Sequence, residues 1–199
     1  MSDYRFRLPV GAELLLASAS PRRRELLGQM GLSFTVHPCQ TDESIPDGMH
    51  PQQAVVLLST RKAQAALACH PQAIILASDT LVELDGEPLG KPQTKDEALG
   101  MLLRLSGKEH RVHTGVAVIY RGRLLAEGDT TRVFMRPFDE AEAAAYVATG
   151  EPMDKAGAYG IQGLGGRLVD HIEGAFDTVV GLPTRLVDRL LCDICEADE

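Results

Sequence analysis

The run Ala73-Ile74-Ile75-Leu76-Ala77 constrains the fold more than any other segment. Five consecutive apolar residues are too few for a helix and fit a strand covered on both faces. Such a strand needs a layer on either side, and its neighbours supply candidates. Glu13 to Ser18 and Ser33 to His37 read as further strands. Pro21 to Met30 reads as a helix ended by Gly31, and Pro51 opens a helix running to about Cys69.

Hairpins follow. Leu81 to Leu84 enters a tight turn at Asp85-Gly86, and strands at Val112 to Tyr120 and Leu124 to Met135 turn at Arg121-Gly122. Thr94 with Glu97 forms a capping box for a helix closed by Gly107, and Asp139 with Glu142 resembles a second cap, for an Ala-rich helix closed by Gly150. A glycine-dense segment from Gly157 to Gly166 precedes a strand near Leu168 to Ile172. After Pro183 a terminal helix carries Val187, Leu190, Leu191 and Ile194 on one stripe. Interleaved hairpins and helical crossovers predict an α/β fold with a mixed central sheet and flanking helices, as a single domain over residues 1–199.

Charge narrows the partners. Asp plus Glu is 28 and Lys plus Arg is 20, a net charge of −8. That balance argues against a protein that coats nucleic acid or anionic membrane, because both attractions need clustered cations. No apolar run approaches the roughly 20 residues of a membrane span. Arg5 and Arg7 before Leu14 to Ala17 mimic a signal peptide weakly, and Pro9, Gly11 and Glu13 interrupt it. Cys39, Cys69, Cys192 and Cys195 then read as reduced thiols of a cytoplasmic protein. Cys192 and Cys195 form a lone CxxC with no second pair, a poor zinc signature. There is no HExxH and no Gly-x-Ser-x-Gly elbow.

Five constellations carry chemistry. In Ser18-Ala19-Ser20-Pro21-Arg22-Arg23-Arg24, arginines fill the first turn of a helix, where the dipole favours acids. Backbone N–H groups plus guanidinium groups there suit a phosphate chain, although a solvated basic turn would look the same. Lys62 shares a helical row with Val55, Leu58, Ala65 and Cys69, so its ammonium either snorkels outward or meets an anion in a cleft. Ser78-Asp79-Thr80 directly follows the buried run, and ligands of open α/β sheets gather beyond such strand ends. Asp42-Glu43 adds carboxylates in a polar loop, and Gly90-Lys91-Pro92 places a lysine at a constrained turn. The segment Asp154 to Gly166 contains Lys155 and Gln162, whose amide can donate to and accept from a base edge. It is neither a P-loop nor a dinucleotide fingerprint. Fixed cations, paired carboxylates and an amide together suit a nucleoside triphosphate with a divalent ion.

These blocks, in this order and with Val179-Val180-Gly181-Leu182-Pro183, resemble the Maf family of nucleotide pyrophosphatases over nearly the whole chain. The resemblance implies an inosine triphosphatase-like α/β fold with a cleft. It implies hydrolysis of a nucleoside triphosphate to the monophosphate and pyrophosphate, a divalent cation (Mg or Mn), and a cytoplasmic homodimer. Ser-Pro-Arg-Arg and Lys-Ala-Gly-Ala-Tyr-Gly-Ile-Gln-Gly are similar to the branch acting on dTTP and UTP, rather than the sister branch acting on 7-methyl-GTP. Carried over, Asp79 is the proton acceptor, grouped with Lys62 and Lys91 as catalytic. Ser18, Arg22, Arg23, Thr80, Lys155 and Gln162 serve substrate binding and specificity, and Glu43 joins Asp79 at the metal. The family is also linked with arrest of septum formation, which leaves a nucleotide-sensing regulator as the competing class.

Overall fold

In the computed structural model, which describes residues 4–196, α-helices and strands alternate as the patterning predicts. The first strand, β1 (Leu14–Leu16), leads into α1 (Pro21–Gln29) and β2 (Thr35–Val36). After a loop comes α2 (Pro51–Cys69), then β3 (Ile74–Leu84), β4 (Glu87–Leu89) and α3 (Lys95–Leu105). Two long strands, β5 (Glu109–Tyr120) and β6 (Arg123–Met135), precede α4 (Glu140–Ala148). The chain ends with β7 (Val169–Glu173), α5 (Phe176–Val180) and α6 (Thr184–Glu196). The sheet order is β2-β1-β3-β5-β6-β7, and β4 pairs with β3 off that path. β2 and β3 run parallel to β1, whereas β4 is antiparallel to β3 and β7 to β6, so the sheet is mixed.

The chain divides into two compact units. One comprises Met1–Asp79, Thr114–Asp129 and Gly181–Glu199, and the other Thr80–His113 and Thr130–Val180. Residues 1–3 and 197–199 of the domain expected over 1–199 lie outside the described residues. Each unit has its own core. Leu15, Ile75, Ala77, Ala117 and Ile119 pack with Ala63 of α2 in the first. Leu84, Leu102, Leu105, Val133 and Tyr159 are among those packed in the second. In the first unit β5 lies hard against α2. A Cβ added at Gly115 would stand 2.2 Å from the Val55 carbonyl oxygen, so only glycine fits.

Helix starts follow their caps. The Ser20 hydroxyl accepts from the Arg23 N–H, Thr94 from Glu97 and Asp139 from Glu142. The box at α3 is displaced by one residue, since the Glu97 carboxylate accepts from the Gln93 N–H at 2.7 Å instead of from Thr94. At α4 the Glu142 carboxylate is drawn to Arg136 instead. Both hairpin turns place two consecutive residues at positive φ, Asp85 (55°) with Gly86 (86°) and Arg121 (46°) with Gly122 (77°). That conformation matches the twist of the flanking strands.

The structure corrects two expectations and adds elements that the sequence reading lacked. Ser78-Asp79-Thr80 does not follow a strand; it lies in the middle of an unbroken 11-residue β3. Partners make this tolerable, because the Ser78 hydroxyl donates to the Gly181 carbonyl at 2.9 Å and Asp79 meets Lys62. On α2 the buried stripe is Ala54, Val55, Leu58, Ser59, Ala63 and Ala66, and Cys69 is exposed. Cys69 keeps the angle of the buried row but is the last residue of the 19-residue helix, where that row ends. The five-residue helix α5 was not legible, and the glycine-dense segment is folded into short 3-10 turns.

Candidate active site

In the first unit, α1 has no acidic residue in its first turn. Arg23, half-buried, folds back over the helix start. Its Nε donates to the Gly181 carbonyl at 2.9 Å and its Nη1 to Ser18 Oγ at 3.2 Å. Ser18 also accepts from the Ser20 N–H. The Gly181 carbonyl, shared by Arg23 and Ser78, thereby ties α1 to the middle of β3. Burial lowers the Arg23 pKa from its ordinary value; the charges of Asp79 and Glu43 oppose that, and Arg22 reinforces it. Arg23 therefore sits within electrostatic reach of both carboxylates.

Lys62 settles the choice between snorkelling and pairing. Its ammonium donates to Asp79 Oδ1 and stands 2.8 Å from Glu43 Oε1. The Lys62 and Asp79 side chains retain 15% and 12% exposure, so this pair is screened far less than a surface one. Neighbouring Arg61 explains how a loop residue reaches it. Arg61 Nη1 donates to the carbonyls of Ser44 (2.6 Å) and Asp42 (3.3 Å), while the Ser44 N–H and hydroxyl close onto the Asp42 carboxylate. The Ser44 N–H, the Ser44 hydroxyl and the Arg61 charge hold Asp42 below the usual carboxylate range against a small cost of burial. Glu43, between these anchored residues, is thus presented to Lys62.

Two carboxylates converging on one ammonium form a pocket of negative charge that a divalent cation also fits. Magnesium commonly takes one or two protein carboxylates and completes its shell with phosphate oxygens and water. Among the described residues no group of three or more His, Cys, Asp or Glu stands ready to hold a metal.

In the second unit, Thr80 is half-buried on β3, and Lys91 and Gln162 are exposed. The Gly157 N–H donates to the Gly90 carbonyl at 3.0 Å, which joins the Gly90-Lys91-Pro92 turn to the glycine-rich segment. Lys155 is engaged within its own loop, donating to the Glu151 carbonyl and to Asp154 Oδ1, both at 2.6 Å. Gln162 occupies a turn closed by the Gly163 N–H on the Gly160 carbonyl at 3.3 Å.

Comparison with known proteins then decides the family. The family described as "Maf-like protein" matches residues 13–194. The chain belongs to this family. A "dTTP/UTP pyrophosphatase" of Moorella thermoacetica is 50% identical to this Maf protein over 183 residues, spanning 90% of this chain and 94% of the relative. One of Vibrio cholerae is 48% identical over 181 residues, spanning 90% and 97%. Another, of Pelotomaculum thermopropionicum, is 46% identical over 181 residues, spanning 89% and 95%.

Sequence reasoning missed two members of this Maf protein's polar framework. Glu151 and Tyr146 hold the segment bearing Gln162, and only Glu151 had an adjacent signal, the Gly150 that closes α4. Arg61, next to Lys62, gave no sequence signal of its grip on the Glu43 loop.

Proposed function

We propose that this chain hydrolyses dTTP and UTP to the monophosphate and pyrophosphate. The naming of its relatives supports the substrate, and one geometric observation carries the chemistry: the Lys62 ammonium lies between Asp79 and Glu43. Phosphoryl transfer asks mainly for positioning and charge neutralisation, and this cluster offers both with a proton acceptor built in.

Asp79 accepts a proton from water as its oxygen attacks the α-phosphorus. A bond from water oxygen to that phosphorus forms, the bond from the α-phosphorus to the bridging oxygen breaks, and pyrophosphate leaves with the electron pair. Lys62 holds the Asp79 carboxylate in place and adds positive charge at the phosphates. Arg23, fixed by Ser18 and Gly181, presents a guanidinium at the start of α1, and Arg22 and the α1 N–H groups extend that cationic surface. Glu43 and Asp79 would hold a divalent cation, Mg or Mn, which when bound neutralises phosphate charge and makes water more acidic. For the second unit taken by itself, the family resemblance implies Lys91 and Lys155 as phosphate contacts, Thr80 in substrate choice and Gln162 at the uracil or thymine edge. For Lys155 this requires exchanging Asp154 for a phosphate oxygen.

The cysteine usage of the sequence goes with a cytoplasmic setting, and the net charge of −8 supports a small-molecule rather than a polymer substrate. Among the described residues no helix is long and apolar enough to cross a membrane. We place the protein in solution as a homodimer, which light scattering on the purified chain tests. The activity is tested by incubating the chain with a nucleotide panel and Mg²⁺ or Mn²⁺ and assaying pyrophosphate. Release from dTTP and UTP is expected. Preference for 7-methyl-GTP would move the chain to the sister branch, and no release from any triphosphate would favour a nucleotide-sensing regulator of septum formation.

A further inference from the structure

The glycine-dense segment around Gln162 is the part of the second unit least like a flexible loop. None of Gly160, Gly163, Gly165 and Gly166 has the positive φ that usually explains a glycine. Their purpose is close approach. A Cβ at Gly163 would stand 2.4 Å from Glu151 Oε1, and one at Gly165 would stand 2.5 Å from the Tyr146 hydroxyl. Both distances are below any real contact, so the glycines admit these two side chains against the backbone.

What they admit is a chain of hydrogen bonds. The Gly160 N–H donates to the Tyr146 hydroxyl at 3.1 Å, and that hydroxyl donates to Glu151 Oε1 at 2.9 Å. The Gly165 N–H donates to the same oxygen at 3.2 Å, and the Leu164 N–H to Oε2 at 3.0 Å. The 160–163 turn is therefore held on both stems, by Tyr146 before Gln162 and by Glu151 after it. Tyr146 is buried at 6% exposure and Glu151 is half-buried, whereas Gln162 projects from the tip. Burial alone would raise the Glu151 pKa; the Leu164 and Gly165 N–H groups, the Tyr146 hydroxyl and the Lys155 charge outweigh it and lower it. The Glu151 carboxylate accepts all three bonds.

We propose that Glu151 and Tyr146 are positioning residues that fix the Gln162 turn and so set the discrimination between uracil and cytosine; this rests on the pyrophosphatase reading above. The chemistry of the base edges makes a fixed stem necessary. Uracil and thymine present a carbonyl beside an N–H, cytosine an amino group beside a bare ring nitrogen. A primary amide, which both donates and accepts, can satisfy either pattern by turning over. On a loose stem the amide can also shift to meet either edge at its best angle, whereas on a clamped stem it meets the base from one position, which only one pattern suits well.

The test compares the full-length chain with Tyr146→Phe and Glu151→Gln, measuring kcat and KM for UTP and CTP alongside the melting temperature. Tyr146→Phe keeps the ring and loses the anchor on Gly160; Glu151→Gln puts an amide N–H against a backbone N–H. Each loses about one buried hydrogen bond, so the UTP-over-CTP ratio of kcat/KM should fall roughly tenfold. The change should lie mainly in KM, with kcat on UTP within about twofold because Asp79 and Lys62 are untouched. Should Glu151→Gln fail to fold, Tyr146→Phe alone decides. A lowered melting temperature with an unchanged ratio would make the pair merely structural and overturn the inference while leaving the pyrophosphatase reading intact. A wild type that releases no pyrophosphate from UTP overturns the reading, and this inference with it.

Discussion

Lys62, Asp79 and Glu43 come from a helix, a strand and a loop, and meet through side-chain charge. Gln162 is placed differently, by backbone N–H groups that converge on one half-buried carboxylate and one buried tyrosine's hydroxyl. The first arrangement gathers unlike elements around a centre of charge, which suits a site that must hold a cation and a polyanion. The second makes one short segment stiff, which suits reading the edge of a base. Removing a charge from the first should therefore stop the chemistry, whereas loosening the second should blur the choice of substrate.

The largest effect is expected from Asp79→Asn. It keeps shape and hydrogen-bonding capacity but removes the proton acceptor, and kcat for pyrophosphate release should fall about 10³-fold. The melting temperature should stay near that of wild type, and full activity would refute the role. Next comes Lys62→Met, which leaves Asp79 and Glu43 facing one another without their shared ammonium. Steady-state assays should show kcat/KM down about 10²-fold, the order seen when one preorganised electrostatic group is deleted. Lys62→Arg should recover part of that loss if charge rather than shape matters.

A third experiment strikes the second unit through pH. His110 is buried at 2% exposure, with Nε2 at 2.8 Å from the Tyr159 hydroxyl and Nδ1 without a hydrogen-bond partner. Burial pulls its pKa down to about 4, with Glu109 pulling weakly the other way. The unfolded chain, with an ordinary histidine pKa of about 6.5, then binds more protons between those values. The stability His110 contributes is full above about pH 6.5 and is lost as pH falls towards about 4. Urea titrations should show a loss of about 2 kcal/mol between about pH 7.5 and about pH 5, largely abolished in His110→Gln. The smallest effect is expected from Arg189→Ala. Its two bonds to Glu127, at 2.7 and 2.8 Å, are half exposed and should contribute at most about 1 kcal/mol, with no change in turnover.

The same contrast explains what the sequence disclosed. Local rules placed most elements: Ser20, Thr94 and Asp139 cap helices where their spacing says, and Asp85-Gly86 and Arg121-Gly122 turn as their composition predicts. Lys62 stood out because a lysine in an apolar row either snorkels outward or meets an anion, and the structure supplies two anions. Ser78-Asp79-Thr80 misled because three polar residues after an apolar run resemble a turn. What keeps them in a strand is Gly181 and Lys62, distant in sequence. Tyr146 was invisible, and Glu151 marked only by the adjacent Gly150, for a related reason. Their partners are backbone N–H groups, which every residue has, so no side-chain pattern records the pairing.

The unbroken β3 sets a limit on how this protein can vary. Successive strand residues face opposite sides of a sheet, so Asp79 and Thr80 are presented in opposite directions by a single peptide bond. Adding or deleting one residue between Ile74 and Asp79 would turn the carboxylate away from Lys62 and send the next side chain in its place. The loop between His37 and His50 has no strand register to keep and can absorb a change of length away from the Asp42–Ser44 anchor; β3 cannot. Among descendants of this chain, substitutions will accumulate along that strand long before its residue count changes.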